Sequence, residues 1–98
     1  MTLDYAAEKF YSAVRTLATS DNDIKSRLTS AAVNNIVKLN PEKDLPENLR
    51  VKFNHILEGL TTQGGIPETI AYMTKKEASS VAEEVVSLYD EIVRETSK

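Results

Sequence analysis

The chain has 98 residues, 41% of them hydrophobic and 28% charged, with a formal net charge of −3 and no cysteine. This length suits one domain spanning residues 1–98, and the balance is that of a folded globule rather than a disordered chain. The missing cysteine excludes disulfides and thiolate chemistry, and the scattered lysines and arginines, adjacent only at Lys75-Lys76, argue against a nucleic-acid partner, which usually meets a basic stripe.

The opening stretch Met1-Thr2-Leu3-Asp4-Tyr5 has neither a basic region nor an apolar run, so no secretory signal is expected there. No apolar stretch approaches membrane-spanning length. A cytoplasmic protein without a membrane partner is the expectation.

Apolar residues recur at helical spacing along four long segments and one short one. Segment one, about Leu3 to Ala18, gathers Leu3, Ala6, Ala7, Phe10, Ala13, Val14, Leu17 and Ala18 on one broad face, with Tyr5 falling on the polar side. Segment two, about Asn22 to Leu39, is expected to start from a capping pair formed by Ser20 and Asp23. Ile24, Leu28, Ala31, Ala32 and Leu39 make one stripe, and Val33, Ile36 and Val37 carry the apolar surface round to the other side. A helix apolar on most sides is buried on most sides. Either segment two is the central helix, or Val33, Ile36 and Val37 face a partner, with a homodimer slightly favoured because symmetric pairs are the commonest oligomers. Asn35 interrupts the first stripe, where a buried amide would need hydrogen-bond partners.

Asn40-Pro41 stops segment two. Segment three is expected to begin at Asp44, with Glu47 as its capping partner and Pro46 in the first turn, and to bury Leu45, Leu49, Phe53, Ile56, Leu57 and Leu60. The run Thr61-Thr62-Gln63-Gly64-Gly65 breaks it. A short helix opened by Pro67 follows, with Ile66, Ile70 and Met73 in phase. Thr74-Lys75-Lys76-Glu77 is a capping box for the last segment, about Lys75 to Glu95. That segment divides cleanly into an apolar half, Ala78 to Val93, and a half of serines and carboxylates. No alternation of strand type competes. The expected fold is all-α, a small bundle of four main helices plus one short helix.

Chemistry is sparse. His55 is the only histidine and falls on a polar helix face, which predicts a surface residue rather than an acid–base group. Its order, His55-x-x-Glu58, is the reverse of the Glu-x-x-His pair that di-iron bundles repeat. Asp21-Asn22-Asp23 opens like a calcium loop, but Ser26 and Ala32 stand where glycine and glutamate are needed, so capping explains these residues better. Gly64-Gly65 before a helix is a weak phosphate signal, because Pro67 removes one N–H. Glu83, Glu84, Asp90, Glu91 and Glu95 line the outer face of the last helix, normally a solvated surface, with docking of a basic partner as the sharper alternative. Val51 reads as an isolated surface hydrophobe. No cofactor or metal is expected. The expected function is a non-enzymatic protein-interaction or regulatory module. The alternatives are a small helical DNA-binding regulator and an enzyme whose site forms only in an oligomer.

Overall fold

The computed structural model describes residues 3–98; Met1 and Thr2, part of the stretch read for a signal, lie outside the described residues. Its elements are α1 (Asp4–Thr19), α2 (Ile24–Asn34), a 3₁₀ turn (Ile36–Lys38), α3 (Pro41–Asp44), α4 (Glu47–Gly59), α5 (Ile66–Tyr72) and α6 (Lys75–Thr96). The described residues contain no strand, and the fold is all-α. Four long helices and the short α5 match the sequence pattern; the single-turn α3 and the 3₁₀ turn are additional. No helix among the described residues is long and apolar enough to cross a membrane.

One core joins all the long helices. Phe10 of α1 meets Phe53 of α4 edge to face at 6.2 Å between ring centroids, and Val85, Leu88 and Ile92 of α6 belong to the same buried core. Alanines at 6, 13, 31, 32, 78 and 82 are buried at the seams, where a short side chain lets helices approach closely. α2 packs against α1, α5 and α6.

Segment two is not one helix. α2 ends at Asn34, and Asn35 leaves helical geometry with φ −132° and ψ −59°. The Asn35 carbonyl then accepts from Lys38 N–H at 3.1 Å, starting the 3₁₀ turn. The capping assignment at its start also shifts by three residues. Asp23, not Ser20, is the N-cap, accepting from Ser26 N–H at 2.9 Å, whereas Ser20 Oγ accepts from Asn22 N–H. The expected Asp44–Glu47 cap is replaced in the same way. Asn40 caps α3 by accepting from Glu42 N–H, and the Asp44 carboxylate accepts back from Asn40 N–H at 2.8 Å. α4 starts from Pro46 with no side-chain cap.

Long cations complete several helix ends, where the last carbonyls lack intrahelical donors. Arg50 of α4 donates to the carbonyls of Pro41, Glu42 and Leu45, clamping the α3–α4 corner. Arg27 of α2 donates to Leu17 O at 2.7 Å, and Lys25 donates to Ala71 O at the end of α5. At the glycine pair, Gly64 has φ +95°, a conformation that L side chains rarely adopt. Thr69 ties this turn to α5, its hydroxyl accepting from Gln63 N–H and donating to Gly65 O. Gly64-Gly65 is thus a turn and a helix entry, and the phosphate reading finds no further support. Thr74 forms the expected capping box, accepting from Glu77 N–H at 3.0 Å while the Glu77 carboxylate accepts from Thr74 N–H at 2.8 Å.

Candidate functional site

The three residues expected to form a partner surface are separated by the break at Asn35. Ile36 is fully buried in the chain's own core, while Val33 and Val37 are 40% and 47% exposed. A continuous helix would have kept them on one flank; the 3₁₀ turn rotates Ile36 inward. What remains outside is two valines, a smaller surface than the sequence suggested.

A larger concave feature lies between α4 and α6. Three polar contacts cross it in antiparallel order: Asn48 Nδ2 to Glu95 Oε1 at 3.4 Å, Lys52 to Glu91, and His55 Nε2 to Glu84 Oε2 at 3.4 Å. Between these ties runs an open groove of about 710 Å³. Its floor is Ile56 and Leu88, its α4 rim is Val51, and Ser80 and Ser87 keep the α6 wall low. Smaller hollows continue it past Gly59, Thr62 and Val81 toward Tyr72 and Met73.

The helical repeat explains why these residues converge. On α6, Ser80, Glu84, Ser87 and Glu91 recur at four- and three-residue intervals and share one edge, the edge turned to α4. On α4, Val51, Lys52, His55 and Ile56 do the same from the other side. Val51 is 71% exposed and belongs to this rim, so it is not an isolated hydrophobe. The opposite edge of α6 faces α1, where Tyr89 meets Tyr11 at 6.3 Å between ring centroids. Val86 and Val93, on the apolar half of the last segment, are exposed. The apolar arc of α6 is wider than the core it covers.

His55 is at the surface, as its helical phase predicts, and its Nε2 faces the Glu84 carboxylate of the neighbouring helix. Both groups are solvent-exposed, and ion pairs of this kind are worth about 0–1 kcal/mol. Among the described residues, no group of three His, Asp or Glu side chains is placed to hold a metal ion. Two capping carboxylates are made more acidic by the N–H groups they accept from. Glu77 is held below the ordinary carboxylate range by the backbone N–H of Thr74, and Asp23 by that of Ser26. The acid run of the last helix splits three ways. Glu83, Glu84 and Glu91 line the groove, Glu95 borders its end, and Asp90 pairs along its own helix with Arg94 at 2.9 Å.

Both halves of the groove were visible in the sequence as separate oddities, Val51 on a polar face and a run of carboxylates on the last helix. Their meeting depends on the antiparallel register of α4 and α6, which no local pattern encodes. Compared with known proteins, the chain matches no family model, no curated protein and no solved structure.

Proposed function

We propose that this chain is a non-enzymatic protein-interaction module that acts in the cytoplasm and uses the α4–α6 groove as its docking surface. The observation that carries this reading is the groove itself: an apolar floor between two helices, rimmed by polar side chains and crossed by three exposed ties. Helix pairs with such a floor accept a third helix by ordinary ridge-and-groove packing. His55 serves on this reading as a tie across the wall and not as an acid–base group. The DNA-binding alternative would need a basic surface, and the carboxylates of the groove oppose a phosphate backbone.

Site-specific photo-crosslinking in producing cells tests the reading. A benzophenone side chain placed at Ser87, on the groove wall, is expected to give discrete protein adducts. The same group at Ser30, exposed on α2, is expected to give none. Absence of adducts at Ser87, or adducts confined to Ser30, would overturn it.

A further inference from the structure

Charge is unevenly spread over this molecule. The groove and its continuation are lined by five carboxylates, Glu58, Glu77, Glu83, Glu84 and Glu91, against one ammonium, Lys52. With His55 neutral that is a net of −4, whereas the whole chain carries −3. The charges on the rest of the surface therefore nearly cancel, and one concave strip carries the chain's net negative charge. Its α6 wall runs from Glu77 to Glu91, about 21 Å at a rise of about 1.5 Å per residue.

We propose that the α4–α6 groove seats a basic amphipathic helix from another protein, about four turns long. This rests on the interaction-module reading and specifies the partner's chemistry. Apolar side chains at i, i+3 or i+4, and i+7 lie over Ile56 and Leu88, beside Val51. Lysines or arginines on the flanks reach the glutamates of α6. The low wall at Ser80 and Ser87 gives the guest backbone room to approach. Lys52 and His55 already occupy Glu91 and Glu84, but exposed pairs exchange at little cost, so a guest cation replaces Lys52 readily. A second copy of this chain is disfavoured as occupant, because a symmetric pairing would set one net −4 strip against another.

The test uses two synthetic 14-residue helical peptides with the same leucine stripe, one flanked by lysines and one by glutamates, titrated by fluorescence anisotropy. The lysine peptide is expected to bind at least about 10-fold tighter, with the difference shrinking in 0.5 M salt as screening shortens the reach of the charges. Reversing three groove charges, Glu83→Lys, Glu84→Lys and Glu91→Lys, is expected to invert the preference. Reversing three exposed acids elsewhere, Asp4→Lys, Glu8→Lys and Asp21→Lys, changes net charge equally and is expected to leave it intact. Circular dichroism verifies that both triple variants fold; if the groove variant does not, Ser87→Gln, which narrows the groove without adding charge, is expected to weaken the lysine peptide by several-fold. Equal affinity for the two peptides, or equal sensitivity to both sets of reversals, would overturn the proposal. Adducts at Ser87 in cells together with equal peptide affinities would leave the interaction module standing and remove the basic helix.

Discussion

The last helix and the end of segment two, Asn35 to Leu39, both read as helix from apolar spacing, yet only the first folds as its pattern alone implies. α6 carries its own start signal, a complete Thr74–Glu77 capping box, and runs unbroken from Lys75 to Thr96. Asn35 to Leu39 continues the helical phase of segment two but folds as a 3₁₀ turn with an extended link at Leu39, and the connection after Asn40-Pro41 holds the one-turn α3. The difference is where each segment's polar groups find partners. In α6 the backbone groups find them along the helix itself and in its capping box. In the Asn35–Leu45 stretch short turn bonds are supplemented from α4 by Arg50, which takes three carbonyls around the α3–α4 corner.

The sharpest way to break this comparison is Ile36→Ala. A fully buried isoleucine held by the 3₁₀ turn is expected to cost about 2–5 kcal/mol in urea unfolding. A loss under about 0.5 kcal/mol would mean that Ile36 faces outward, as a continuous helix would have it. Gly64→Ala is next. At φ +95° an added Cβ is strained although the surrounding space is open, and a loss of about 1–2 kcal/mol is expected. An unchanged midpoint would mean the turn relaxes to another geometry.

Thr74→Ala should cost about 1 kcal/mol, as loss of an N-cap normally does. The same box makes stability acid-sensitive. The Glu77 and Asp23 carboxyls are held below their ordinary values by N-cap hydrogen bonds. Their contribution is therefore full above the ordinary carboxylate range and is lost as pH falls through their lowered values. Melting temperature is expected to drop below about pH 4, and Glu77→Gln, which keeps an acceptor but no titration, is expected to flatten part of that drop. A steeper acid drop in Glu77→Gln would contradict the assignment.

The smallest expected effect is that of Val33→Asp with Val37→Asp. Both side chains are exposed, and a change within about 0.5 kcal/mol is expected. Sedimentation equilibrium at micromolar concentration should give the same mass for this variant and the natural chain, because the stripe has lost Ile36 to the core. A mass that halves on substitution would restore the homodimer through segment two.

How much was legible follows from the same distinction. Helices one, four, five and six, and nearly every core residue in them, follow from apolar spacing, because each buries one face against a single core. Asn35 was recognisable as out of place, yet spacing alone made it a buried amide within a helix, whereas it ends the helix. The caps at Ser20 and Asp44 were misplaced because several small polar residues compete there, and the choice between them is made by Asn40 and Asp23 through backbone N–H groups. The groove was the least legible feature. Val51 and the groove glutamates Glu83, Glu84 and Glu91 lie more than 30 residues apart in the chain, and only the register of two packed helices brings them to one strip.

The Tyr11–Tyr89 contact has a consequence for how the chain reaches this state. It lies in the seam where the first long helix docks on the last, so the bundle closes only when the two ends of the described chain meet. The entropy lost in such a closure grows slowly with the length spanned, but it is paid before the seam returns any stabilisation. A helical chain of this size with mainly local contacts would fold very fast. Here the mean separation of contacting residues is raised by its terminal pair, so the rate of folding, more than the depth of the native well, bears the imprint of where α1 docks.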